Sequence, residues 1–119
     1  MALKLSTRTV GSVTIVYCNG RIVFGDETAM LRDQIKGLLS ETRQIVLTLG
    51  GVSYIDSGGL GTLVGLYTSA RAAGGDIKLA NLTKRVDDQL QITKLVTIFE
   101  VYDGEDNAVA AFQKSSTSA

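Results

Sequence analysis

Hydrophobic and polar positions alternate and then change period several times along this chain. Residues 3–9 alternate apolar and polar side chains, as in a half-buried strand. Residues 13–18 are apolar or aromatic on both faces, which is typical of an inner strand. The short turn at residues 10–12 favours an antiparallel hairpin between these two strands. Residues 45–49 form a compact β-branched run, which predicts a central buried strand that ends at the glycine pair 50–51.

Apolar residues recur at helical spacing between the strands. The stripe formed by Leu31, Ile35 and Leu38 predicts a helix over residues 26–42, with Asp26 as its cap. A second helix is predicted over residues 59–73, where a pair of glycines follows as a stop signal. The second strand is predicted to end at Asn19-Gly20. Two further strands are predicted over residues 77–82 and 96–102. Two further helices are predicted over residues 84–92, with Thr83 as the cap, and over residues 106–112.

The order of these elements predicts an α/β fold. It reads β-β-α-β-α-β-α-β-α, and compact strand–helix–strand units imply mainly parallel strands with a hairpin at the N-terminal side. No repeat or linker interrupts the pattern, and 119 residues suit one domain. We therefore predict a single domain over residues 1–113 and a disordered tail over residues 114–119.

Composition excludes several classes of function. Lys plus Arg and Asp plus Glu both total 12, so the chain has no excess of positive charge for binding nucleic acid. It contains no His, which excludes Ser-His-Asp triads and His metal ligands. Its single cysteine, Cys18, fits a reducing cytosol, and no apolar run approaches the ~18 residues that span a bilayer. We expect a cytoplasmic protein with no cofactor, metal, nucleic-acid or membrane partner.

The most informative segment is the run VSYIDSGGLG, which begins at Val52 and lies between a buried strand and an amphipathic helix. Asp56 or Ser57 would occupy the N-cap of that helix, so the run is either a cap with a tight turn or a functional loop. A dinucleotide-binding fingerprint fails because residue 64 is Val rather than Gly. Ser57 has no His and no Lys nearby in the sequence to activate it, so we expect no enzymatic activity.

In this context the run resembles the STAS domain of anti-sigma factor antagonists, a bacterial family. The supporting segments are residues 45–49, the run Tyr54-Ile55-Asp56-Ser57-Gly58-Gly59-Leu60-Gly61, residues 73–80 and residues 92–99. Together they cover nearly the whole chain. The resemblance implies the STAS fold, a small mixed β-sheet of four to five strands with helices packed mainly on one face.

The resemblance also implies a partner-switching function. In phosphorylated members the Ser directly after the Asp accepts the phosphate, and that position is Ser57 here. The unphosphorylated antagonist binds an anti-sigma factor serine kinase and releases a sigma factor, and a serine phosphatase acting on phospho-Ser57 reverses the modification. We expect a monomer or weak dimer. The expected partner-binding residues are Asp56, Ser57, Gly58, Gly59, Leu60, Gly61, Arg21 and Asp26.

Two positions depart from the family pattern. Gly58 stands where many members have Ser, Thr or Ala, and we expect it to loosen the loop. Many members have an acidic residue soon after the second long strand, whereas here Arg21 follows Gly20 and the first acid is Asp26. The alternative function is a STAS scaffold or sensor module in a larger stress-signalling assembly, including a nucleotide sensor. A phosphorylatable residue at position 57 favours the antagonist.

Overall fold

The computed structural model describes residues 3–117, and the side chains of residues 3–114. The predicted order of strands and helices is confirmed, and one 3₁₀ turn is inserted before the last strand. The elements are β1 (Lys4–Val10), β2 (Val13–Ile22), α1 (Asp26–Leu39), β3 (Gln44–Ile55), α2 (Ser57–Ala72), β4 (Asp76–Ala80), α3 (Lys84–Ile92), the 3₁₀ turn (Leu95–Thr97), β5 (Val101–Tyr102) and α4 (Glu105–Thr117). Within this part of the chain, no helix is both long and apolar enough to cross a bilayer.

The topology of the sheet places three helices on one face. The strands lie in the order β1-β2-β3-β4-β5, with β1 antiparallel to β2 and every later pair parallel. Parallel crossovers are right-handed and the strand order never reverses, so α1, α2 and α3 must lie on the same side. Their buried residues share one core cluster with Leu47 and Leu49 of β3. The predicted mixed sheet of four to five strands, with helices mainly on one face, is confirmed.

Helix α4 covers part of the opposite face of the sheet. Its residues Ala108, Val109 and Phe112 pack against apolar side chains of β2, β3 and β4 in a second, smaller cluster. At the start of the helix, the Glu105 carboxylate accepts hydrogen bonds of 2.7 Å from both Arg8 and Tyr17. These two donors lower the pKa of Glu105, with Arg8 as the larger cause.

A buried cation lies beneath the other end of α4. The Lys78 side chain is only 6% exposed, and its ammonium group lies 4.6 Å from the centre of the Phe112 ring. It donates to Glu100 at 2.6 Å and to Asp76 at 3.2 Å. Burial alone would lower the pKa of Lys78, but these two bonds outweigh burial and raise that pKa. The bond from Lys78 in turn lowers the pKa of Glu100. The ammonium group therefore stays charged under α4.

The pairs Asn19-Gly20 and Gly50-Gly51, which we predicted to end two strands, lie inside those strands instead. β2 continues past Gly20, and β3 continues past Gly50 and Gly51 as far as Ile55. Asn19 lies opposite Gly51, and the register is irregular on both sides of this pair. A side chain at Gly51 would meet the side chain of Asn19. The glycines therefore allow a close approach between two bulged strands.

Several boundaries differ from the predicted ones for identifiable reasons. Gly25, with a φ of 123°, is the N-cap of α1, whereas Asp26 was predicted to cap it. The hydroxyl group of Thr28 donates to the Gly25 carbonyl oxygen and accepts from the Gly25 N–H group. Asp26 is therefore the first helical residue. Helix α1 ends at Leu39 rather than near residue 42.

The C-terminal segment also differs from the prediction. Most of the predicted strand over 96–102 is instead a 3₁₀ turn and a loop, because Lys94 adopts a left-handed conformation with a φ of 65°. Phe99 is buried there and packs edge-on against Tyr67, with ring centres 5.2 Å apart. Helix α4 continues to Thr117, beyond the predicted end at residue 112. The last part of the predicted tail, residues 118–119, lies outside the described residues.

Two leucines of α2 should differ in their effect on stability. Leu63 is 1% exposed, whereas Leu60 is only partly buried at the edge of the core. We expect Leu63→Ala to lower the free energy of unfolding by about 2–5 kcal/mol, and Leu60→Ala to lower it clearly less. Urea denaturation of both variants measures the difference. Equal losses would contradict this assignment of the core.

The ionic contacts at α4 predict that the free energy of unfolding depends on pH. The pKa values of Glu105 and Glu100 are lowered in the folded state from the usual 4.5, so their stabilising contributions are present above that value. Each contribution is lost as the pH falls through the lowered pKa. We expect the free energy of unfolding to fall between about pH 5 and pH 3. The fall should be shallower in Glu105→Gln, and an unchanged slope would contradict the role of Glu105.

Candidate functional site

Asp56 fixes the start of α2. Its backbone is extended, with a φ of −87° and a ψ of −179°, and its Oδ1 accepts a 2.7 Å hydrogen bond from the Gly59 N–H group. The first N–H groups of a helix have no partner within the helix, so this bond caps α2. Of the two predicted caps, Asp56 and Ser57, the structure selects Asp56.

The same carboxylate also holds the loop that follows β2. The Phe24 N–H group donates to Oδ1 and Oδ2 of Asp56, at 3.2 and 3.1 Å. The Asp56 N–H group donates to the Ile22 carbonyl oxygen at 3.2 Å. Asp56 therefore joins the ends of two neighbouring parallel strands, β2 and β3. Its carboxylate is engaged by backbone donors, which gives it a positioning role beneath the exposed surface.

Ser57 follows as the first residue of α2 and is exposed to solvent. In the described part of the chain, no group forms a hydrogen bond with its hydroxyl. The helix dipole favours negative charge at this end of α2, where the Asp56 carboxylate already caps the Gly59 N–H group. An exposed, unbonded hydroxyl in that environment can take on a phosphate group while the helix stays intact.

The glycines after Ser57 differ in what surrounds them. Gly58 lies in the first turn of α2 and does not loosen a loop as expected, because a side chain there would bring its Cβ within 2.6 Å of Phe24 Cβ. A side chain at Gly59 would meet the carbonyl oxygen of Ile22. A Cβ at Gly61 would meet nothing within 4 Å. Gly58 and Gly59 are therefore needed for packing, whereas Gly61 leaves open space on the surface.

The other predicted partner-binding residues lie on or beside this segment. Leu60 is partly buried against the main core, so only part of its side chain is accessible. Arg21 is exposed near the end of β2 and lies opposite Tyr54 of β3 in the strand register. Asp26 is exposed in the first turn of α1, just after the loop that Asp56 holds. Because the carboxyl ends of parallel strands meet at one edge of a sheet, these residues share that edge with Ser57.

Helix α3 supports the site through a side chain that the sequence analysis did not single out. The Ile55 N–H group donates to Gln89 Oε1 at 3.2 Å, and the amide NH₂ of Gln89 donates to the Ile55 carbonyl oxygen. The Thr83 hydroxyl similarly donates to the Val52 carbonyl oxygen at 3.2 Å. β3 extends beyond the end of β4, and α3 supplies the polar partners that a neighbouring strand would otherwise provide.

Phe24 and Gln89 are the functional-site residues that sequence reasoning missed. The only local signal for Phe24 is a large aromatic residue in a glycine-flanked loop after a strand. Gln89 has no local signal, because its partner Ile55 lies 34 residues earlier in the chain. The roles of both residues can be recognised only from the folded structure, in which α3 and the ends of β2 and β3 lie next to one another.

The described residues offer Ser57 no general base that would activate it as a catalytic nucleophile. The nearest carboxylate in sequence, Asp56, is engaged by the Phe24 and Gly59 N–H groups, and the chain has no His to serve as a base. Among residues 3–117, no group of three acidic, Cys or His side chains could hold a metal ion. Cys18 is buried, and burial raises the pKa of its thiol to about 12.

The contacts of Gln89 predict a local effect that can be separated from general helix stability. We expect Gln89→Ala to lower the free energy of unfolding by about 1–3 kcal/mol, because it leaves a backbone donor and acceptor of Ile55 without partners. Gln91→Ala, at an exposed position on the same helix, is the matched control and should have little effect. Hydrogen exchange of the Ile55 amide should accelerate only in the Gln89 variant. Equal exchange rates in both variants would contradict this role.

Comparisons with known proteins agree with this fold. The model of the STAS domain family matches residues 4–108. The anti-sigma-B factor antagonist of Bacillus subtilis strain 168 is 35% identical over 72 residues, which cover 60% of this chain and 66% of the relative, slightly less than two thirds of its length.

Solved structures with similar folds include an anti-sigma factor antagonist and a phosphorylated cell fate determinant. An anti-sigma factor antagonist from Mycobacterium paratuberculosis superimposes with a TM-score of 0.80 at 21% identity, covering 92% of this chain and 93% of that one. The phosphorylated form of the Bacillus cell fate determinant SpoIIAA superimposes with a TM-score of 0.70 at 18% identity, covering 93% of this chain and 99% of that one. At these identities the likeness shows the fold alone. With the family match extending over most of the chain, this protein belongs to the STAS domain family.

Proposed function

We propose that this chain is an anti-sigma factor antagonist that changes partners when Ser57 is phosphorylated. The unphosphorylated protein binds an anti-sigma factor serine kinase, and a sigma factor is released. The kinase then transfers the γ-phosphoryl group of ATP to Ser57. The bond from phosphorus to the Ser57 oxygen forms, the bond to the ADP leaving oxygen breaks, and the hydroxyl proton leaves. A serine phosphatase hydrolyses the phosphate ester and restores the first state.

The observation that carries this proposal is the position of Ser57. Its hydroxyl is exposed at the N-terminus of α2, directly after the Asp56 cap. The name of the Bacillus subtilis relative supports the antagonist role, and the structure of phosphorylated SpoIIAA supports the compatibility of this fold with phosphorylation.

The physical basis of the switch is a change in local charge with little change in fold. A phosphate on Ser57 adds about −1.5 to −2 charges at a helix N-terminus, where negative charge is favourable. The helix therefore persists, while a partner surface shaped for a neutral hydroxyl meets a bulky dianion. A hundredfold loss of affinity requires about 2.8 kcal/mol, which is within the cost of desolvating such a charge at an interface.

Substitutions at Ser57 test the switch. Because Asp56 supplies the cap, we expect Ser57→Ala to fold with a loss below about 0.5 kcal/mol, bind the kinase and escape phosphorylation. Ser57→Asp should fold and bind weakly, although one carboxylate imitates a phosphate only partly in charge and size. The measurement is intact mass after incubation with ATP, Mg²⁺ and each purified anti-sigma factor kinase of the source organism. Titration of the same kinases then gives their affinities.

A neighbouring hydroxyl provides the control. Ser53 is exposed near the end of β3, and Ser53→Ala should still gain one phosphate. The proposal fails if Ser57→Ala is still phosphorylated at the wild-type rate. It also fails if phosphorylated wild type binds the kinase as tightly as the unmodified protein does, or if no kinase phosphorylates the wild type.

A further inference from the structure

A groove of about 430 Å³ runs between α1 and α2 and begins beside the candidate phosphorylation site. Phe24 and Gly58 line one end, next to Ser57. The groove then passes between Arg32 and Lys36 of α1 and the glycine-rich face of α2. Both helices connect parallel strands on the same face of the sheet, so they run in the same direction and the groove follows their length.

The floor of this groove is widened by glycines, which make up three of its six α2 lining positions; the other three are Thr62, Leu66 and Ser69. Gly58, Gly61 and Gly65 follow one another at spacings of three and four residues, which places them on one face of the helix. A Cβ at Gly61 or Gly65 would meet nothing within 4 Å. The α2 backbone is therefore accessible to a partner there, although glycine is unfavourable within a helix.

One wall of the groove is positively charged. Arg32 and Lys36 are exposed and four residues apart on α1, so they face the same way. Neither Arg32 nor Lys36 forms an ion pair with another side chain in the described part of the protein. Among the side chains that the structure describes, no acidic one lines the groove. A segment with carboxylates would complement this wall.

An apolar anchor lies at the Ser57 end of the groove. Phe24 is 81% exposed, yet its backbone is held by the Asp56 carboxylate and its Cβ packs close to Gly58. The backbone of Phe24 is thus held in place, and its ring projects into solvent. Exposed aromatic side chains of this kind often anchor protein interfaces.

We propose that this groove receives an acidic segment of the anti-sigma factor kinase, with an apolar side chain against Phe24 and carboxylates beside Arg32 and Lys36. The inference rests on the proposed function and specifies the docking surface for the same partner. A phosphate on Ser57 would bring negative charge to the Phe24 end of the groove. The phosphate and the acidic segment would repel one another, which links docking to the modification.

Charge reversal tests the wall of the groove. The probe is the purified kinase that phosphorylates Ser57 in the preceding experiment, titrated against the unphosphorylated full chain. We expect Arg32→Glu and Lys36→Glu each to weaken binding by about tenfold, and the wild-type affinity to fall as salt is added. Lys4→Glu, at an exposed position on the edge strand β1, is the matched control and should change affinity by less than about twofold.

Filling the floor provides a second, uncharged test. We expect Gly65→Leu to fold at least as stably as the wild type, because the site is open and leucine favours helix, yet to weaken kinase binding about tenfold or more. Gly37→Leu adds the same side chain in open space on α1 outside the groove and should bind normally. Thermal unfolding of both variants confirms that any loss of binding is not a loss of fold.

The outcomes separate this inference from the proposed function. If the kinase phosphorylates Ser57 but binds the groove variants as tightly as the controls, the groove assignment is wrong and the proposed function stands. If Gly65→Leu instead abolishes self-association in sedimentation while leaving kinase affinity unchanged, a second copy of the chain occupies the groove and the assignment to the kinase is wrong. If no kinase modifies Ser57, both proposals fail.

Discussion

The carboxylate of Asp56 is the constraint on which the candidate site depends. It accepts hydrogen bonds from the Gly59 N–H group of α2 and from the Phe24 N–H group of the loop after β2. These donors belong to segments more than 30 residues apart in sequence, so one side chain fixes the relative position of a helix start and a neighbouring loop. Because Ser57 directly follows Asp56, this arrangement also fixes the position of Ser57. The Ser57 side chain is exposed, whereas the Asp56 carboxylate beside it is held by backbone N–H groups.

The strand order explains how this arrangement is supported. Successive right-handed crossovers place α1, α2 and α3 on one face, where they share a core with the central strands. Helix α4 lies on the other face and is held by contacts at Glu105 and Lys78, none of which involves the Ser57 loop. A charge added at Ser57 therefore acts on the surface between α1 and α2 and leaves the anchoring of α4 untouched.

The sequence predicts the parts of this structure that arise from local periodicity and capping. The helix over Lys84–Ile92 with its Thr83 cap, and the parallel order of the strands, follow from patterns within short windows. Gly50-Gly51 misleads the same reasoning, because a glycine pair resembles a turn locally. Glycine is required at these positions because Asn81 lies against Gly50 and Asn19 lies against Gly51. Both asparagines come from other segments of the chain. The role of Gln89 is invisible for the same reason, since its hydrogen bonds to Ile55 exist only after folding.

A rigid acceptor site has a thermodynamic consequence for any switch built on it. If phosphorylation neither melts α2 nor moves the Asp56 frame, no free energy is spent on refolding, and the whole effect of the phosphate falls on the interface with the partner. Linkage then makes the effect reciprocal: a partner that binds the phosphorylated form a hundredfold more weakly shifts the equilibrium between free hydroxyl and phosphate ester by the same factor. Binding the kinase would therefore favour the unmodified protein, and turnover of ATP is required to drive the cycle onward. In this view the fold supplies a fixed platform, and the direction of the switch comes from nucleotide hydrolysis rather than from strain stored in the domain.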